Sequence, residues 1–143
     1  DAAHQRLVAQ LEAGQPLPFV LENQAIFYAG PSPTPPGKII GACGPTTSSR
    51  MDVYTPSLLA KGLKIMIGKG PRAPEVVAAI RQYQAAYLVA TGGAGALLAQ
   101  CVKKAGLVAY PDLGPEAVYR LEVEAMPLIV AVDPAGRDLF AQV

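Results

Sequence analysis

The sequence has few charged residues, few cysteines and a single histidine, and each shortage excludes a class of protein. Charged residues make up 16% of the 143 residues and hydrophobic residues 51%, which excludes a disordered chain. Twelve Lys and Arg against eleven Asp and Glu leave a net charge of +1, so the clustered cations of nucleic-acid-binding proteins are missing. Two cysteines without CxxC spacing cannot make a disulfide framework, nor a zinc site with one histidine. Cys43 and Cys101 are therefore expected to be reduced thiols in a cytoplasmic protein, and any metal would take most of its ligands from another chain.

One uncharged run, from Gln82 to Val102, is long enough to suggest a membrane span. Its middle reads Thr91-Gly92-Gly93-Ala94-Gly95, which predicts a turn between a buried strand and a helix instead. No charged-then-apolar signal peptide opens the chain. We therefore expect no membrane association, and the length suits a single domain over residues 1–143.

The second half of the chain has a regular alternation of short apolar runs and amphipathic stretches. The pattern predicts strands at 65–67, 87–90 and 107–110 and helices at 73–83 and 94–104. Strands that alternate with helices of this length indicate βαβ units and a mainly parallel sheet, so the predicted fold class is α/β.

The flanking regions are less regular. They predict a helix over 1–13, a β-rich stretch over 19–29, a short strand over 38–42, a helix through 58–60 with Thr55 as a possible cap, a short helical segment over 116–121 and a hairpin over 128–140. The proline-rich stretch at 31–37 is expected to be a stiff surface loop.

Three short segments near predicted strand ends carry the polar residues and glycines from which a site could be built. Gly44–Arg50 has four consecutive hydroxyls and an arginine, suited to a carboxylate or phosphate; an ordinary helix cap is the alternative. Gly68–Arg72 places Lys69 between two glycines, where parallel sheets bind ligands, although a solvated basic turn has the same pattern. Thr91–Ala96 lacks the full GxGxxG motif, so tight packing of a strand on a helix is the alternative there. Together the segments favour a small dicarboxylate or similar anion, and they lack an ordinary general base.

Several linked motifs resemble the β part of the iron–sulfur hydro-lyases, which comprise the class I fumarases and the L-tartrate dehydratases. The motifs are CGPTTSSRMD at 43–52, IGKGPR at 67–72, YLVATGGAGALL at 87–98, DLGPEAVY at 112–119 and DAAH at 1–4. Because they cover essentially the whole chain, the resemblance is specific.

The resemblance implies a swivelling β/β/α three-layer domain with a mainly parallel central sheet and a second, smaller sheet. It also implies a partner, an α subunit or N-terminal domain, whose three cysteines hold a [4Fe-4S] cluster, so that this chain binds no metal itself. The cluster would act as a Lewis acid on the substrate. A dimeric assembly is expected. The family's arginine before DAAH is absent, so the chain is expected to be truncated at its N-terminus and inactive alone.

Carried over onto this sequence, the resemblance implies a catalytic role for Thr46 as the base that takes the C3 proton. Arg50 and Lys69 would bind the substrate carboxylates. The same two cations could stabilise a threonine alkoxide, which is otherwise inaccessible at neutral pH. The full set expected to bind substrate is Arg50, Lys69, Thr47, His4, Gly92 and Gly93. The implied reaction is the reversible hydration of fumarate to (S)-malate, with tartrate dehydration to oxaloacetate and a non-catalytic anion-binding module as the alternatives.

Overall fold

The computed structural model describes residues 1–91 and 93–142. Within these residues the helices are α1 (Ala2–Glu12), α2 (Thr55–Ala60), α3 (Pro74–Gln82) and α4 (Gly95–Gln100). The strands are β1 (Ala25–Phe27), β2 (Ile65–Gly68), β3 (Ala86–Val89), β4 (Val102–Ala109), β5 (Val118–Val123) and β6 (Ile129–Val132). Short 3-10 helices occupy Ser48–Met51, Pro111–Glu116 and Leu139–Gln142.

The main sheet has the strand order β1-β2-β3-β6. The first three strands are parallel, with Phe27 opposite Ile67 and Ile67 opposite Leu88, and β6 runs antiparallel to β3. Short apolar runs form these strands, as expected for strands buried on both faces of a sheet. Met66 of β2 and Tyr87 of β3 are fully buried. Because β1, β2 and β3 run in the same direction, their carboxyl ends meet at one edge of the sheet.

Helices α1 and α3 begin and end within one residue of the predicted bounds, whereas Thr55, predicted as a possible cap, is the first residue of α2. Pro56 and Pro74 each lie in a first helical turn, where the missing N–H costs no hydrogen bond. Helix α3 buries Val76, Ala79 and Ile80, and this apolar stripe packs into the core. In the described part of the chain, no helix is long and apolar enough to cross a bilayer.

Strands β4 and β5 form a separate antiparallel ribbon. Leu107 lies opposite Tyr119 on one face, and the Lys104 and Glu122 side chains pair at 3.8 Å on the other. Most of the ribbon is exposed, and only the ends of β4 are buried. The predicted α/β class, with a mainly parallel sheet and a second, smaller one, is confirmed.

The prediction of a third parallel strand at 107–110 is wrong, as is the length of the helix before it. Helix α4 stops at Gln100, and the predicted helical residues 101–104 belong mostly to β4, which continues to Ala109. A parallel strand is buried on both faces. Lys103 and Lys104 are adjacent and would have to point to opposite faces, so this segment pairs instead in the exposed ribbon.

Three further predictions outside the parallel units are wrong. Residues 118–121 lie in β5 instead of a helix, because Val118, Tyr119 and Leu121 favour an extended ribbon strand over a helical face. Residues 38–42 form a loop in which the Ala42 carbonyl accepts a hydrogen bond from the Ser32 amide, and they belong to none of the strands in the described residues. The second hairpin strand is reduced to one bridge between Val132 and Asp138, followed by the last 3-10 helix, although the predicted turn at 133–136 forms.

Candidate functional site

The carboxyl edge of the parallel strands brings the three predicted segments together through their backbones. Thr47 pairs with Lys69 in a parallel bridge, and Ala29, just after β1, pairs with Pro45. The Ser48 amide donates to the Lys69 carbonyl at 3.0 Å, and the Lys69 amide donates to the Thr46 carbonyl at 3.3 Å. The hydroxyl segment (Gly44–Arg50) and the lysine turn (Gly68–Arg72) are therefore directly joined.

Thr46 is held against the end of β1. Its amide donates to the Tyr28 carbonyl at 2.7 Å, and its Oγ1 donates to the same oxygen at 3.2 Å. A hydrogen bond donated by the hydroxyl stabilises the protonated form. In this geometry Thr46 is a fixed, protonated hydroxyl, and a role as a base requires Oγ1 to turn away from the carbonyl.

The side chain of Lys69 is exposed beside this segment, while its neighbour Gly68 is buried. A Cβ at Gly68 would lie 2.0 Å from the Ser48 Oγ and 2.8 Å from the Tyr28 ring. The absence of a side chain at Gly68 thus lets Ser48 pack over the end of β2, so that Thr47 can pair with Lys69.

The glycine-rich turn before α4 packs on the start of the hydroxyl segment. The Cys43 amide donates to the Gly95 carbonyl at 3.0 Å, and a Cβ at Gly95 would come within 3.0 Å of the Gly44 nitrogen. Gly93 is exposed in the turn with a φ of +80°. Gly92, predicted to bind substrate, lies outside the described residues. Close packing is therefore present at Gly95, but it is against the loop residues 43–44 and not the expected packing of a strand on a helix.

Arg50 and Thr47 face outward from the same segment. Arg50 lies in the 3-10 helix Ser48–Met51 with 54% of its side chain exposed, and its Nε is 3.8 Å from Asp1 Oδ1. Thr47 is exposed and joins Lys69 through the backbone. The guanidinium is thus available to an anion, although it lies within ion-pair distance of Asp1, directly before α1.

His4 lies on the buried face of α1. It is 7% exposed, and its ring stands edge-on to Tyr28 with centroids 5.3 Å apart; its Nε2 is buried without a hydrogen-bond partner among residues 1–91 and 93–142. Burial, assisted by nearby positive charges including Arg72, lowers the pKa of His4 to about 4. The imidazole is therefore neutral at physiological pH, and a substrate contact by His4 stays a prediction.

The prediction of site residues missed a buried arginine, Arg72, which lies under the loops at the carboxyl ends of the parallel strands. Arg72 donates from Nε to Asp52 Oδ1 at 2.7 Å and from Nη2 to Thr55 Oγ1 at 2.9 Å. Its guanidinium lies 4.8 Å from the Tyr87 ring centroid and 5.2 Å from that of Tyr28. Both charged residues occur within the quoted motifs, but nothing local distinguishes a buried arginine from a solvated one.

The described residues do not fit a metal centre. No three His, Cys, Asp or Glu side chains come together anywhere in residues 1–91 and 93–142. Cys43 and Cys101 are both free thiols, and burial raises the pKa of Cys43, which disfavours the thiolate that a metal requires. The site offers cations, hydroxyls and backbone amides, which suit the binding of a small anion.

Comparison with known proteins gives one consistent result. A family model described as Fumarase C-terminus matches residues 1–143. The aerobic class I fumarate hydratase of Escherichia coli K12 is 41% identical over 145 residues, covering all of this chain and 26% of that protein. Fumarate hydratase 1, mitochondrial, of Leishmania major is 42% identical over 144 residues, covering 99% of this chain and 26% of that protein. The chain spans about a quarter of the length of these two relatives.

A shorter relative has a different substrate in its name. The L(+)-tartrate dehydratase subunit beta of Escherichia coli K12 is 32% identical over 147 residues, covering 99% of this chain and 72% of that protein. The same segment therefore occurs both within long fumarate hydratases and as most of a separate subunit.

Proposed function

This chain belongs to the Fumarase C-terminus family, and from that premise we propose that it is the β part of an iron–sulfur-dependent hydro-lyase that reversibly hydrates fumarate to (S)-malate. The observation that carries the proposal is the pairing of Thr47 with Lys69 at the carboxyl edge of the sheet. This pairing joins the hydroxyl segment to the lysine turn, so that one dicarboxylate can contact both.

Each proposed role follows from a side chain's charge and position. Lys69 and Arg50, both exposed beside the joined segments, would bind the two carboxylates of the substrate. Thr46 would take the C3 proton of malate in the dehydration direction and return it to fumarate in hydration. Its Oγ1 would first leave the Tyr28 carbonyl, and the neighbouring cations would stabilise the resulting alkoxide.

The remaining predicted contacts belong to the same proposal. Thr47 is exposed within the hydroxyl segment, and Gly93 is exposed two residues before Gly95, which packs on the start of that segment; their backbone amides would bind a carboxylate oxygen. Gly92 and His4 complete the proposed set, His4 as a neutral ring because of its burial.

The proposal assigns the [4Fe-4S] cluster to a partner, because the described residues of this chain do not fit one. The cluster, when bound there, would supply Lewis-acid chemistry at the substrate hydroxyl. The partner would be an N-terminal domain, as the quarter-length match to the fumarate hydratases suggests, or a separate α subunit, as the name "subunit beta" suggests. A dimeric assembly, a cytoplasmic location and a single domain over residues 1–143 stay predictions.

Tartrate dehydration to oxaloacetate is the second candidate reaction, favoured by the match to a tartrate dehydratase subunit. The two reactions need the same grip on two carboxylates, so these cations suit both. The two fumarate hydratases described above are 41% and 42% identical to this chain, against 32% for this tartrate dehydratase subunit, which favours fumarate.

The experiment is a turnover assay of the protein assembled with its cluster-bearing part, on fumarate and on tartrate. We expect hydration of fumarate, and we expect Lys69→Ala to lose about 2–4 kcal/mol of transition-state stabilisation, or roughly 30- to 900-fold in kcat/KM. Lys61→Ala is the matched control. Lys61 is also exposed, but it lies between the end of α2 and the start of β2, at the amino ends of the parallel strands and away from the site.

Three outcomes contradict parts of the proposal. Turnover of tartrate alone would replace the substrate. Binding of diacids by a cluster-loaded assembly that turns over neither substrate would favour the non-catalytic anion-binding module. An unchanged kcat/KM for Lys69→Ala would remove this lysine from the site.

A further inference from the structure

One buried hydroxyl contacts both segments that carry the proposed site. The Tyr87 Oη lies 2.7 Å from the Ser48 Oγ and 2.7 Å from the Gly70 carbonyl oxygen. A carbonyl can only accept, so the tyrosine donates its single proton to Gly70 and accepts the proton of the Ser48 hydroxyl. Ser48 follows Thr46 and Thr47, and Gly70 follows Lys69.

The position of Tyr87 makes this bridge rigid. Tyr87 is fully buried at the centre of the sheet, where β3 pairs with both β2 and β6. The Arg72 guanidinium lies 4.8 Å from its ring centroid, and Arg72 is itself held by Asp52 at 2.7 Å. The ring is therefore held in place, and its hydroxyl fixes the positions of the Ser48 and Gly70 atoms that it bonds.

The chemistry of the hydroxyl is separable from the packing of the ring. Burial raises the pKa of Tyr87, so its proton is present at neutral pH and can be donated. Replacement by phenylalanine keeps the ring and its contact with Arg72 but removes both hydrogen bonds. The Ser48 amide would still donate to the Lys69 carbonyl and the Lys69 amide to the Thr46 carbonyl, but these two bonds would lack the support of the Tyr87 hydroxyl.

We propose that Tyr87 is a positioning residue whose hydroxyl sets the spacing between Lys69 and the Thr46–Arg50 segment, and thereby the fit of the site to a diacid. Tyr87 acts through Ser48 and Gly70 and does not touch the substrate. The proposal rests on the proposed function for its diacid ligand, while the spacing itself is a property of this chain.

The test compares Tyr87→Phe with the unaltered protein, both assembled with the cluster-bearing part. Small displacements of binding groups cost large factors in rate, so we expect kcat/KM for fumarate to fall roughly 10- to 100-fold, mainly through a higher KM. We also expect faster hydrogen exchange at the Ser48 and Lys69 amides, which a loss of global stability alone would not confine to these two positions.

Two further variants separate positioning from stability. Tyr110→Phe is the matched control, because Tyr110 is also a buried tyrosine and its hydroxyl bonds to Gln10 and to neither segment; we expect its KM to be unchanged. Ser48→Ala removes one of the two bonds, and we expect a smaller rise in KM in the same direction. This second variant carries the test if Tyr87→Phe fails to fold.

The outcomes distinguish this proposal from the proposed function. An active enzyme in which Tyr87→Phe leaves both KM and amide exchange unchanged would overturn the positioning role alone. An equal rise in KM for Tyr110→Phe would also overturn it, since the effect would then reflect stability. Absence of hydro-lyase activity in the unaltered assembly would instead refute the proposed function, and the exchange measurement would still decide whether Tyr87 sets the spacing.

Discussion

Replacing Arg72 by methionine tests whether the buried ion pair holds the carboxyl edge of the sheet. The Arg72 side chain is completely buried and that of Asp52 is 11% exposed, with 2.7 Å between Nε and Oδ1. Arg72→Met keeps the unbranched, flexible stem of the side chain as far as the position of Nε, but it does not reach the place of the guanidinium between the two tyrosine rings. It removes the charge, the bond to Thr55 and both contacts with the rings.

The expected loss in the free energy of unfolding comes from the Asp52 carboxylate, which Arg72→Met leaves without its partner. Removal of one partner of a buried ion pair typically costs about 3–5 kcal/mol, because the other charge stays desolvated without compensation. Asp52 keeps one hydrogen bond, since its Oδ2 accepts from the Ala73 amide at 2.8 Å. We therefore expect a loss at the lower end, about 3 kcal/mol, or roughly 6–12 °C in Tm for a chain of this size.

The assay is urea denaturation, with an exposed ion pair of the same length as the control. Arg137 Nε also lies 2.7 Å from Asp133 Oδ2, but 78% of the Arg137 side chain is exposed, so Arg137→Met should cost less than about 1 kcal/mol. The double variant Arg72→Met/Asp52→Asn should regain about 1–2 kcal/mol, because it removes the unpaired charge and keeps an acceptor for Ala73. Equal losses for Arg72→Met and Arg137→Met would refute the reasoning.

Two further predictions concern stability. Burial lowers the pKa of His4 from 6.5 to about 4, so the unfolded chain binds a proton in this range that the native chain does not. The free energy of unfolding should therefore fall by roughly 3 kcal/mol on acidification from pH 6.5 to pH 4, and His4→Gln should flatten the curve measured by urea denaturation; parallel curves would contradict this. Gly68→Ala should lose roughly 1–3 kcal/mol in the same assay, because its Cβ would lie 2.0 Å from the Ser48 Oγ. A Cβ at Gly106 would meet no atom of the described residues within 4 Å, so Gly106→Ala should change stability by less than about 0.5 kcal/mol; equal effects would disprove the role of close approach at Gly68.

Local signals were sufficient for the elements with strong periodicity. Pro74 and Glu75 mark the start of α3, its apolar stripe marks the buried face, and the apolar run at 65–67 marks β2. These features depend on side chains within one or two turns of each other. The α/β class followed from their alternation.

Local signals failed where a distant partner decides the structure. Residues 101–104 can continue a helix by propensity, and 118–121 can form one, but both segments extend into the β4–β5 ribbon. Residues 102–104 pair with 122–123, and residues 118–121 pair with 105–109. The choice depends on the free energy of a ribbon between residues far apart in sequence, which no short window contains. The same applies to 38–42, which has strand propensity but bonds to the loop residue Ser32 instead of joining a strand.

For the site, the sequence by itself determined the chemistry: the hydroxyls of 46–49, the cations Arg50 and Lys69, and the motifs that indicate the family. Only the tertiary structure decided that Thr47 lies opposite Lys69, that Tyr87 bridges the two segments, and that the ring of His4 is buried and neutral. The physical reason is that the identity of a side chain sets which interactions it can make, whereas its partners and its access to water arise only when distant segments pack together.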